Sequence, residues 1–183
     1  MKKQGVDTVK RVMKAIIIIL LACVLAGCTL FYSDIKGHMS GYENDGHPTD
    51  YTVSRILDHE YEDFNMSHET ALDIQKNPSK YTEYWIGVYI HNLSPGKIHG
   101  VEGDLAADYD NLWFDRTSFY EWTLDMEANA AVKDKKIRFL VKTEGMSEQD
   151  IDRLIRNIQL KISWDTYRFP VARGGSKTIS YEH

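Results

Sequence analysis

Five carboxylates fall between positions 102 and 115: Glu102, Asp104, Asp108, Asp110 and Asp115, with Asn111 among them. Hard calcium ions favour such oxygen-rich chemistry, so Asp104, Asp108, Asp110 and Asp115 are candidate calcium ligands. The spacing departs from an EF-hand loop. Counting from Asp108, Trp113 stands where the loop needs Gly and Phe119 where it needs Glu. A solvated acidic loop is the plainer reading and is preferred. Asp108 and Asp115 also make the enzymatic alternative, an envelope hydrolase using paired acids, which needs a set separation across a cleft. Nothing else in the chain assembles a catalytic motif. The seven histidines (His38, His47, His59, His68, His91, His99 and His183) form no H-x-H or H-E-x-x-H pair, and no G-x-S-x-G or phosphate-binding glycine loop occurs. No cofactor is expected, and the reading leans away from an enzyme.

Aromatic residues offer a different chemistry. In "TEYWIGVYIHN", Trp85 and Tyr89 flank Gly87 and fall on the face opposite Tyr84, Ile86, Val88 and Ile90. If one set faces the core, the other faces outward. An exposed Trp–Tyr pair could stack on a sugar ring or a partner side chain. Cover by a short helix is the plainer reading and is preferred. Trp113, Trp122 and Trp164 fit core strands.

The elements that would position these residues follow from period. "NIQLKISWD" places Ile158, Leu160, Ile162 and Trp164 on one face and Gln159, Lys161, Ser163 and Asp165 on the other, a half-buried strand. "KIRFLVK" repeats this with Ile137, Phe139 and Val141 inward, and "YEWTLDM" with Tyr120, Trp122, Leu124 and Met126 inward. The C-terminal stretch reads as a hairpin turning at Gly174-Gly175. Two short helices interrupt: 68–76 behind an N-cap at Ser67, and a second behind Ser147 with Asp150 in the capping-box position. Alternating burial of this kind belongs to antiparallel sheets with one solvated face. The expected fold is mainly β: an antiparallel immunoglobulin-like β-sandwich of about seven strands with two short helices.

The N-terminus reads separately. Lys2, Lys3, Lys10, Arg11 and Lys14 precede an uncharged apolar run, Ala15 to Ala26, of 12 residues. A spanning helix needs about 20. The run fits the h-region of a secretory signal. Leu25-Ala26-Gly27-Cys28 resembles the lipobox of bacterial lipoproteins. That resemblance implies a diacylglycerol thioether on Cys28 and cleavage before it. The other cysteine, Cys23, would leave with the signal, so the mature chain has neither disulfide nor free thiol. Residues 29–50, rich in Gly and polar residues, read as a flexible tether with a root-mean-square reach of roughly 25 Å.

A wider resemblance covers most of residues 67–165. "NPSKYTEYWIGVYIHNLSPGKIHGVEGDL" and "GMSEQDIDRLIRNIQLKISW" look like small lipoproteins of Gram-positive bacteria with an immunoglobulin-like sandwich. In these a strand ends in an Asn-x-Ser turn and a short helix precedes a late strand. It implies no functional residues. The organisation expected is a lipoprotein signal peptide over 1–27, lipidated Cys28 and tether over 28–50, and a β-sandwich over 51–183. The protein would sit on the extracytoplasmic face of the cell membrane, held by lipid, as a non-catalytic binding module for a protein or cell-wall partner. Calcium-dependent binding and the hydrolase are the alternatives. Residues 1–27 carry five Lys/Arg against Asp7, so their removal takes the net charge from −5 to −9. That charge speaks against nucleic acid and against attraction to anionic lipid.

Overall fold

Apolar alternation builds two antiparallel sheets in the computed structural model, which describes residues 13–19, 21, 33–58, 60–120, 125–168 and 171–182. The strands are β1 (Ile35–Gly46), β2 (Tyr81–Asn92), β3 (Ile98–Leu105), β4 (Leu112–Phe114), β5 (Asp125–Met126), β6 (Ala131–Lys142), β7 (Gln159–Arg168) and β8 (Val171–Ser180). The first sheet has the order β1-β2-β6-β4 and the second β5-β3-β7-β8. The inward residues expected in three of the strands are buried together. Ile86, Val88 and Ile90 of β2 and Ile137, Phe139 and Val141 of β6 share one buried core with Leu160, Ile162 and Trp164 of β7. Burying such aliphatic and aromatic side chains is worth roughly 1.5–3 kcal/mol each, which holds the sheets together.

Among the described residues four α-helices join the strands: α1 (Asp50–Leu57), α2 (His68–Lys76), α3 (Arg116–Tyr120) and α4 (Glu148–Arg156). The two expected helices are α2 and α4. Ser67 Oγ accepts from the Thr70 amide at 3.1 Å, and Ser147 Oγ from the Asp150 amide at 3.2 Å. Each satisfies an otherwise orphaned N–H at a helix start. The expectation of only two helices is corrected by α1 and α3. Thr49 caps α1 through its side chain, bonded to the Thr52 amide at 3.2 Å.

Three further expectations change. The tether expected over 28–50 is corrected within its described part: Ile35–Gly46 is a strand paired with β2 from Ile35↔Asn92 to Gly46↔Glu83. Its glycines hid it. Gly41 has φ +59 and sits at a register shift between Ser40 and Tyr42, so it serves a bulge within a strand. Gly174 and Gly175 do not turn a hairpin. They lie inside β8 opposite Asp165 and Trp164, and the strands pair up to Arg168↔Val171. A Cβ on Gly175 would stand 2.5 Å from the Trp164 indole, so the glycine makes room for that ring. Of the strand expected around "YEWTLDM", Asp125–Met126 is a strand and Tyr120 instead ends a helix over Arg116–Tyr120; residues 121–124 lie outside the described residues. Trp122 lies outside the described residues.

A second core lies on the outside of the first sheet. Ile56 of α1, Phe64 and Met66, and Ala71 and Ile74 of α2 pack against Tyr81 and Leu140, with Trp113 half-buried at the edge. Segment 50–76 therefore covers one half of the sheet's outer face. Among the described residues no second layer of this kind covers the other half, the open half, nearer the start of β1.

Candidate functional site

Period two decides what the open half presents. Ile35, Gly37 and Met39 of β1 face the core, so Lys36, His38 and Ser40 face outward. They stand opposite His91, Tyr89 and Gly87 of β2. On the far side of β2 the register slips between Val88 and Ile90, where β6 carries one extra residue. Such a bulge re-aims side chains. Lys133, Lys135 and Lys136 all line the same hollow as Tyr89, about 370 Å³ in volume. Gly87 sets its depth. A Cβ there would stand 2.6 Å from the Ser40 carbonyl oxygen, so β1 and β2 close tightly only without one.

Tyr89 is half-buried. Its ring stacks on His38 with centroids 5.1 Å apart, and His91 meets it edge-on at 6.4 Å. Trp85 lies at the border of the covered half. Its indole N–H donates to Asp45 at 3.2 Å, and the Arg138 guanidinium sits over its ring at 5.5 Å. The two aromatic candidates thus share a face as expected, but neither is wholly exposed and each already has aromatic or cationic company. Lys136 donates to Glu43 at 2.5 Å, and His38 Nδ1 lies 3.3 Å from Glu182. Lys133 and Lys135 are exposed and make no ion pair among the described residues.

Comparing the chain with family models, curated proteins and solved structures finds no match. The choice of site therefore rests on the molecule's own geometry. A trough on the second sheet is lined by Glu102 and Asp165 with no cation, and in two further hollows the charged groups bond to one another. Beside α4, Tyr42 Oη donates to Asp152 at 2.9 Å and Arg156 Nε grips both Asp152 oxygens at 2.8 and 2.9 Å. Beside α2, Asp73 accepts from Tyr81 Oη at 2.6 Å, Asn77 at 2.9 Å and Lys142 at 3.2 Å. These hydrogen bonds, that from Tyr81 foremost, hold the Asp73 carboxyl down at about 2. Burial and the bond to Asp73 push Tyr81 well above the ordinary phenol range. The open half of the first sheet combines an aromatic floor with Lys133 and Lys135, two exposed cations that make no ion pair among the described residues.

The candidate calcium ligands are not gathered. Asp104 takes Nη2 and Nε of Arg116 at 2.7 and 3.2 Å. Asp115 is fully buried against Arg138 and accepts from the Thr117 amide and hydroxyl at 3.1 and 2.7 Å. Asp108 and Asp110 are exposed on the loop between β3 and β4. Among the described residues no group of three or more His, Cys, Asp or Glu side chains could hold a metal ion. Asp115, saturated with donors and out of reach of solvent, is equally unsuited to the acid–base role given it in the hydrolase alternative. Cys28 lies outside the described residues.

His38, Lys133, Lys135 and Lys136 were missed as site residues. His38 fell in the segment read as a tether. The signal for the lysines is "VKDKKIRF", where alternation breaks just before the regular strand begins.

Proposed function

We propose that this chain is a lipid-anchored, extracytoplasmic, non-catalytic binding module with an immunoglobulin-like arrangement of strands, binding through the open half of its first sheet. The observation that carries this is the hollow around Tyr89, with its aromatic floor and with Lys133 and Lys135, which make no ion pair among the described residues. Strand order supports the fold reading. The order β1-β2-β6-β4 matches A-B-E-D and β3-β7-β8 matches C-F-G of immunoglobulin sheets, with β5 added beside β3. One departure is that β4 precedes β5 in the chain. The anchor reading is supported by the basic start, the short apolar run and the Leu-Ala-Gly-Cys end. Met13–Ile19 are helical, and Ile16, Ile17, Ile18, Ile19 and Leu21 are exposed and belong to neither core. No helix among the described residues is long and apolar enough to cross a membrane.

The test places a photoreactive phenylalanine analogue at position 89 of the full chain in its native cells, with a control at position 163 on the second sheet. Irradiation is expected to give adducts from position 89 that disappear with Lys133→Glu/Lys135→Glu and to give none from position 163. Equal adducts from both positions, or none from either, would overturn the reading.

A further inference from the structure

We propose that the ligand of the open half is the phosphate of anionic lipid headgroups, in the membrane that holds the anchor. This rests on the binding reading above and narrows it to one occupant. Chain length is the first argument. Ser33 and Asp34 already belong to the folded unit. The Trp164 indole N–H donates to Ser33 Oγ at 3.2 Å, the Leu93 amide to the Asp34 carbonyl at 2.9 Å, and Lys177 to Asp34 Oδ1 at 3.0 Å. Only four residues lie between Cys28 and Ser33, five steps along the chain with a reach of at most about 18 Å. The long tether is gone, and the domain is held against the surface that bears the lipid.

Direction is the second argument. β1 begins at the anchored end and advances about 3.3 Å per residue. Lys36 and His38 therefore lie within roughly 20 Å of Ser33 along the strand. Tyr89, His91 and the lysines at the start of β6 lie beside them. The covered half, under α1 and α2, points the other way along the same strand.

Charge is the third. A net charge of −9 suggests repulsion, but the Debye length is about 8 Å at physiological ionic strength, less than the width of the domain. The near face decides, and there several acids already meet a cation. Asp34 is paired with Lys177 at 3.0 Å, and Asp125 and Glu127 with Lys97 at 3.1 and 3.3 Å. Lys36, Lys133 and Lys135 are left with no ion pair among the described residues. Leu93 adds an exposed apolar side chain at the same end, and Tyr89 an aromatic ring suited to the headgroup layer. The trough on the opposite sheet is lined by Glu102 and Asp165, which anionic lipid would repel. The domain would lie with its first sheet on the membrane and its second sheet outward.

The test reconstitutes the full, acylated chain into vesicles of choline phospholipid, with and without a third of glycerol phospholipid, and measures acylation rates of single lysines by mass spectrometry. Each lysine at an anionic surface contributes roughly a fivefold gain in association. Lys133 and Lys135 are expected to react about tenfold more slowly in anionic than in neutral vesicles. Lys161 should react alike in both, and the difference should vanish in 1 M salt, where the Debye length is about 3 Å. Lys36→Glu/Lys133→Glu should remove the residual protection of Lys135. Failure to sediment with neutral vesicles would overturn the anchor reading. Equal rates in both vesicles would overturn the lipid proposal while leaving adducts from position 89 in cells to support binding of a protein partner. Equal protection by inorganic phosphate in detergent would assign the hollow to free phosphate instead.

Discussion

Arg138→Ala is expected to destabilise the fold by about 3–5 kcal/mol, the range for removing one partner of a buried ion pair. Asp115 is fully buried, and Arg138 meets it through Nε at 2.9 Å and more closely through Nη2. The guanidinium also lies between the rings of Phe64 and Trp85, with its carbon 5.6 and 5.5 Å from their centroids. Glu83 stands 3.8 Å away, 3% exposed, with Oε1 making no hydrogen bond in the described structure. Without Arg138, the two buried carboxylates keep, among the described residues, Arg55 as their ion-paired cation, 3.4 Å from Asp115. The loss also reaches α1, because Thr52 accepts from Arg138 Nη1 at 3.4 Å. Urea unfolding followed by tryptophan fluorescence reads the cost directly. Arg138→Lys should recover only part of it, since a point charge cannot reproduce the two-nitrogen grip on Asp115. A cost for Arg138→Ala below about 1 kcal/mol would mean that the pair is solvated and that α1 is held by its apolar side chains alone.

Asn92→Ala is expected to cost about 2–4 kcal/mol, from several buried backbone groups losing their partner at once. Asn92 is completely buried at the end of β2. Its amide nitrogen is within 2.9 Å of the Gly96 carbonyl, 3.1 Å of Met126 and 2.9 Å of Glu127, so one N–H is shared. Its oxygen accepts from the Ser94 amide at 2.9 Å. One side chain therefore fastens the turn at 93–97 to the turn that leads into β6. Asn92→Asp is the sharper variant. It retains the acceptor but loses the donors and places a carboxylate against three carbonyls, so it should cost at least as much as alanine. For a domain of this size the loss lowers Tm by roughly 5–15 °C, read by thermal unfolding. A shift under about 2 °C would show that water replaces the side chain at these carbonyls.

The same two residues show what the sequence makes legible. Asn92-Leu93-Ser94 is visible as a turn at a strand end, and its inward neighbours Ile86, Val88 and Ile90 are visible by alternation. Arg138 is visible only as a residue on the far side of β6. That it is buried follows from a second layer, α1 and the segment to Phe64, whose short apolar pattern at Val53 and Ile56 carries too little periodicity to announce a helix. Ser67 and Ser147 announce α2 and α4 because a cap is a local device. β1 was hidden for the opposite reason. Its glycines at 37, 41 and 46 look like tether residues, and only pairing with β2 makes Ile35–Gly46 a strand. Because His38 sits on that strand, half of the candidate site was hidden with it. Trp85 and Tyr89 were readable as one outward row. Their separation into a covered and an open neighbour was not, since it depends on where segment 50–76 lands. Asp104 and Asp115 looked like free ligands because their arginine partners, Arg116 and Arg138, lie 12 and 23 residues further on.

The central claim is that the open half of the first sheet is occupied when the protein is in place. Hydroxyl-radical footprinting of the full chain in native membranes, beside the same chain purified in detergent, measures it most directly. Tyr89 and Tyr51 serve as the pair: Tyr89 lies in the hollow, and Tyr51 is 69% exposed on α1 beyond it. The account predicts that Tyr89 oxidation falls at least fivefold in native membranes while Tyr51 oxidation stays unchanged. Equal oxidation of Tyr89 in both settings, or protection of Tyr51 in place of Tyr89, would contradict it.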